Sequence, residues 1–158
     1  MHACAYPYKE RATRFKHILI PTDGSELCNL AITNGVSFAK EINARITGVT
    51  VTMPFNFFSM EASMVAEWMD RYTEDSKAMA ARKLSVLKSA ADSIGVECAL
   101  VHCVSEQPYE EIIKTAQTNG CDVIFMASHG RRGVRGLVMG GETHKVLTHT
   151  KIPVLVFR

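Results

Sequence analysis

The features missing from this 158-residue chain narrow its chemistry before any motif is read. No segment approaches the run of about eighteen apolar residues that a membrane helix needs. The start, MHACAYPYKERATRFK, places charges where a secretion signal has an apolar stretch of about seven residues or more. Net charge is also scarce, with 18 Lys+Arg against 16 Asp+Glu leaving a formal +2. That is too little to hold nucleic acid or a membrane surface by bulk electrostatics, so an anionic partner is expected to be small. Five cysteines, Cys4, Cys28, Cys98, Cys103 and Cys121, form no CxxC pair. An odd, dispersed set fits a reducing compartment and argues against a disulfide framework or a zinc site. The expectation is a cytoplasmic protein. No GK[ST] and no GxGxxG occurs, which removes the Walker A loop and the dinucleotide fingerprint. There is no internal repeat, linker or low-complexity tract. The length suits one domain, and 47% hydrophobic with 22% charged residues is ordinary globular composition. Residues 1–13 read as a loose arm, in which His2 and Cys4 reflect a mobile terminus, and 14–158 read as the domain.

Glycine, by contrast, is concentrated. Five of the ten glycines, Gly130, Gly133, Gly136, Gly140 and Gly141, fall within twelve residues, with Arg131, Arg132 and Arg135 among them. The apolar run Val123, Ile124, Phe125, Met126 precedes them, as in a strand covered on both faces of a parallel sheet. After Gly141 the pattern is helical, with Glu142 in the first turn and Val146 and Leu147 on one side. A strand, a glycine-rich loop and a helix start in succession suit an anion, because glycine permits close backbone approach and the helix start offers free N–H groups. The alternative is a plain surface loop without a ligand. The position after a buried strand favours the first reading, since ligands of open α/β sheets bind outside the strands' carboxyl ends.

Taken in order, His17 to Ile20 form a first strand stopped by Pro21-Thr22-Asp23-Gly24-Ser25, with Asp23 or Ser25 capping a helix over 26–42. Ala44 to Thr52 is β-prone and makes strand two. Phe55, Phe57 and Phe58 follow, expected to pack beneath the next helix rather than to form a lid. Residues 60–94 are helical, in two pieces or with a bend. Met60, Met64, Met69 and Met79 read as adaptable core or a surface for a helix partner. Val96 to Val104 is strand three, containing Cys98, His102 and Cys103 as core or edge residues. Pro108 opens a third helix that Asn119-Gly120 ends. Strand four, the glycine loop, a helix over 141–149 and a last strand close the chain. Short apolar strands alternating with helices imply a doubly wound parallel sheet with helices on both faces.

KHILIPTDGS, PYEEII, CDVIFMASHG and KVLTHTKIPVLVF, in this order and spanning nearly the whole domain, resemble the universal stress protein family. Its nucleotide-binding members carry glycine, two residues, glycine, nine residues, then glycine followed by serine or threonine. Here Gly130 and Gly140 match, while Ala127 and Gly141 depart. The resemblance implies a five-stranded α/β sheet of order 3-2-1-4-5, similar to adenine nucleotide alpha-hydrolases, and a homodimer. It also implies an ATP-like ligand (ATP, ADP or AMP) at the carboxyl ends of strands one and four. Pro21, Thr22 and Asp23 would lie near adenine and ribose, and Val51 would hold adenine through its backbone. Ala127, His129, Gly130, Arg131, Arg132, Gly140, Gly141, Glu142 and Thr143 would surround the phosphates, and Asp23 could hold magnesium through them. Gly141 removes a hydroxyl donor worth about 1.5–3 kcal/mol toward a charged group. Glu142 is expected to repel phosphates, and Arg131, Arg132 or Thr143 to compensate in part.

Three function classes follow from these residues. The first is a nucleotide-binding homodimer acting as a stress-response sensor or signalling module, with at most slow ATP hydrolysis. The second is a nucleotide-free family member acting through protein contacts, raised by Ala127 and Gly141. The third is a phosphohydrolase, disfavoured because no convincing general base is in view; Ser128 and His129, adjacent at a strand end, should point to opposite faces and so not form a nucleophile–base pair. The apolar final strand, Val154, Leu155, Val156 and Phe157, would sit at the sheet edge and suggests the dimer contact.

Overall fold

The computed structural model describes residues 15–55, 62–130 and 139–158. Residues 1–14, Phe57, Phe58, Met60, Arg131 and Arg132 lie outside them. Strands and helices alternate along the chain: β1 (His17–Pro21), α1 (Glu26–Glu41), β2 (Arg45–Thr52), α2 (Ala62–Ser93), β3 (Cys98–Val104), α3 (Pro108–Thr118), β4 (Val123–Ala127), α4 (Gly141–His149) and β5 (Val154–Phe157). All pairings are parallel and the order is β3-β2-β1-β4-β5, as the sequence implied.

The central strands β1 and β4 are buried along their whole length, which is why both read as unbroken apolar runs. Strand alternation divides the core in two. Ile18 and Ile20 of β1 pack with Ala31, Ile32 and Val36 of α1 and Leu87 and Ala91 of α2. Leu19, between them, points the other way, to Ile112, Ile113 and Ala116 of α3 and Val146 of α4. Each fully buried aliphatic side chain contributes about 1.5–3 kcal/mol, so these two layers fix the register. Asp122 adds a tie at the opposite end of the sheet from the crevice. Its carboxylate accepts the amides of Lys16 at 2.8 Å and His17 at 3.2 Å, joining the start of β1 to the start of β4.

Ser25, rather than Asp23, caps α1, its hydroxyl accepting the amide of Cys28 at 3.3 Å. Residues 62–93 form a single helix, not two pieces. At 1.5 Å per residue it is about 48 Å long, whereas the eight residues of β2 span about 26 Å. The helix therefore outruns the sheet. Its second half packs on the core, and its first half projects past the strand ends, where Tyr72 donates its hydroxyl to the Met53 carbonyl at 2.8 Å. Phe55 meets the Tyr72 ring at 5.3 Å, in line with packing against the helix. Met69 and Met79 are exposed, so the core reading does not hold for them.

The chain runs outward from β1 through β2 to β3, then returns to the other side of β1 at β4. The order reverses between β1 and β4, so a crevice opens at their carboxyl ends.

Candidate functional site

The crevice is a cleft of about 890 Å³, near the upper end of the range for small-molecule sites. Every expected site residue within the described part of the chain lines it: Pro21, Thr22, Asp23, Val51, Ala127, His129, Gly130, Gly140, Gly141, Glu142 and Thr143.

The turn after β1 is held rigidly. Thr22 is buried, donating its amide to the Val49 carbonyl at 2.9 Å and accepting the Thr50 hydroxyl on its own carbonyl at 2.8 Å. Its hydroxyl accepts the Gly24 amide at 3.2 Å. Asp23 follows, one carboxylate oxygen accepting the Ser25 amide at 3.0 Å. The other oxygen lies against Gly130, where an added Cβ would sit 2.3 Å away. A larger residue there would require the Asp23 carboxylate to shift.

Across the floor, β4 delivers Ala127 and the chain turns. The Gly140 amide donates to the Ser128 carbonyl at 2.8 Å, and a Cβ on Gly140 would lie 3.0 Å from His129 Cα. This close contact fixes the start of α4 beside the end of β4. Thr143 secures it, donating its hydroxyl to the Ala127 carbonyl at 3.0 Å. That proton is committed, so Thr143 can offer a phosphate only its backbone amide. Among the described residues no side chain caps α4, and its first residues line the cleft at the positive end of the helix dipole.

Two expectations change here. Glu142 turns its carboxylate toward α3 and its own helix: it accepts the Tyr109 amide at 2.9 Å and pairs with Lys145 at 3.0 Å. It thereby caps α3, whose Gln107 makes no side-chain cap, and much of its charge is answered there. Ser128 and His129 do not point apart. The strand pleat ends at Ala127, and beyond it Ser128 Oγ lies 3.2 Å from His129 Nδ1. No third group among the described residues orients the other ring nitrogen, so the pair falls short of a nucleophile relay. Cys28 also lines the cleft, but burial pushes its thiol up to about 11, leaving it neutral near pH 7.

The sequence reading missed the far wall. Tyr72, Asp75, Ser76, Met79 and Lys83, on the projecting part of α2, complete the cleft. Tyr72, Ser76, Met79 and Lys83 recur at intervals of four, three and four, one face of a helix. The available signal was that a helix of this length must overhang strands of this length.

The Universal stress protein family model matches residues 14–158. A universal stress protein of Methanocaldococcus jannaschii, MJ0577, is 27% identical over 91% of this chain and 95% of its own. The solved structure of MJ0577 superposes with a TM-score of 0.75 over 90% of this chain and 94% of that one. A universal stress protein solved in complex with cAMP shares the fold at a TM-score of 0.63 and 17% identity, covering 91% and 97% of the two chains. One from Archaeoglobus fulgidus, solved in complex with dAMP, does so at 0.59 and 14%, covering 92% and 99%.

Proposed function

Because this chain belongs to the universal stress protein family, we propose that it is an adenine-nucleotide-binding homodimer that senses or signals stress with little or no turnover. The observation that carries the reading is the meeting of Gly130, Gly140 and the uncapped start of α4 at the reversal point of the sheet. Backbone amides aimed into a cleft at a helix N-terminus favour phosphate over neutral ligands. Relatives of the same fold that hold cAMP and dAMP support adenine as the base.

Residue roles follow from position. The phosphates lie against Gly130, Gly140 and Gly141, with Arg131 and Arg132 beside them in sequence. Ribose and adenine lie over Pro21, Thr22, Asp23 and Val51. A magnesium ion, which keeps most of its water, would be held by Asp23 and phosphate oxygens. Hydrolysis is slow in this arrangement, because neither the Ser128–His129 pair nor the neutral Cys28 thiol supplies an activated base.

The test is release and rebinding. Purified protein, denatured and analysed chromatographically, yields ATP, ADP or AMP, and the emptied protein takes nucleotide back in calorimetry. Protein that releases nothing and ignores all three nucleotides refutes the reading and leaves the nucleotide-free alternative, motivated by the missing hydroxyl at Gly141.

A further inference from the structure

Of the described residues that line the cleft, Lys83 alone is a lysine or arginine. Lys83 stands on α2 and forms no ion pair with any described carboxylate. Its stem is seated deliberately close to the turn after β1. Gly24, at φ +77°, has no side chain, and a Cβ there would lie 3.0 Å from Lys83 Cγ and within 3.7 Å of the next two carbons. Gly24 follows Asp23, whose carboxylate touches Gly130, so Lys83, Asp23 and the start of the glycine loop are contiguous. Ser76, one of the few polar side chains that is nine-tenths buried on this wall, faces the same space with no hydrogen-bond partner among the described residues.

We propose that Lys83 is the charge-reading residue of this site, contacting the phosphoryl chain of the bound nucleotide from α2, with Ser76 as a second polar contact from the same wall. This rests on the nucleotide reading above and deepens it by naming what sets selectivity. A cation on the cleft wall adds a charged donor to the backbone amides at the start of α4, where Gly141 brings no hydroxyl. The ligand class is therefore an adenine nucleotide with a free, multiply charged phosphoryl group, ahead of adenosine or a cyclic monophosphate.

Lys83→Met keeps the stem that packs on Gly24 and removes the charge. Calorimetry on wild type, Lys83→Met and Lys83→Arg with ADP, cAMP and adenosine gives the test. The expected result is about ten- to a hundredfold weaker ADP binding in Lys83→Met, little change for adenosine, substantial recovery in Lys83→Arg, and a shallower salt dependence for ADP in the methionine variant. Ser76→Ala is expected to weaken ADP by about two- to tenfold. Wild-type binding of ADP with Lys83→Met unchanged overturns this proposal alone, as does an equal loss for ADP and adenosine. Wild-type protein that binds none of the three overturns it together with the reading it rests on.

Discussion

Adding a hydroxyl at Gly141 is the most discriminating perturbation of the proposed phosphate site. Gly141 is the first residue of α4, its φ is outside the left-handed region, and an added Cβ would meet no atom of the described residues within 4 Å. Serine therefore enters without backbone strain and without displacing a described residue. A hydroxyl at a helix start, facing a phosphate, donates a hydrogen bond worth about 1.5–3 kcal/mol. Gly141 is exposed, so solvent competition favours the lower figure, about a tenfold gain in affinity. Gly141→Ala is the control, because it adds the same carbon without the donor. Both variants stiffen the helix start by up to about 0.5–1 kcal/mol and so raise Tm alike, but only serine should tighten binding. Calorimetry with ADP, AMP and adenosine reads the difference. Equal gains for alanine and serine, or a gain for adenosine as large as for ADP, would refute a phosphate at the start of α4.

Three further outcomes are expected. Gly130→Ala forces a carbon to within 2.3 Å of the Asp23 carboxylate; nucleotide affinity should fall at least about tenfold with the circular dichroism spectrum unchanged, and retained affinity would dissociate Asp23 from the site. Burial, and then the Arg45 guanidinium, hold His17 below the usual histidine value against the opposing pull of Asp122, while its Nε2 meets the Thr47 hydroxyl at 2.8 Å. The unfolded chain then takes the proton first, so this contribution is present above about pH 6.5 and is lost as pH falls below it; urea midpoints should drop over that window in wild type and drop less in His17→Gln, and identical profiles would contradict this. Leu155→Lys, at an exposed position of the edge strand β5, should convert the proposed dimer to monomer in light scattering, whereas an unchanged mass would move the dimer contact elsewhere.

Much of this architecture was legible because each signal was local. The apolar runs of β1 and β4 announce strands covered on both faces, and the stop at Pro21 to Ser25 announces a turn into a capped helix. Gly130 and Gly140 mark places where a backbone must come close to something else, here the Asp23 carboxylate and His129. What stayed hidden depended on distant partners. The direction of the Glu142 carboxylate is decided by the Tyr109 amide, thirty-three positions away in the chain. The reach of α2 over the crevice follows from comparing lengths of separate elements, and the meeting of Ser128 with His129 from where the pleat of β4 stops. Periodicity names a residue's face, but only assembled elements say what that face looks at.

The overhang of α2 also separates admission of a small molecule from the integrity of the protein. Its lower turns are locked to the sheet by Leu84, Leu87 and Ala91, while its upper turns are tethered by Tyr72 to Met53 and Phe55, at an exposed spot just beyond the strand that carries Val51. Tyr72→Phe removes the hydrogen bond of that contact and leaves both hydrophobic layers untouched, so it should change the kinetics of nucleotide binding more than the Tm.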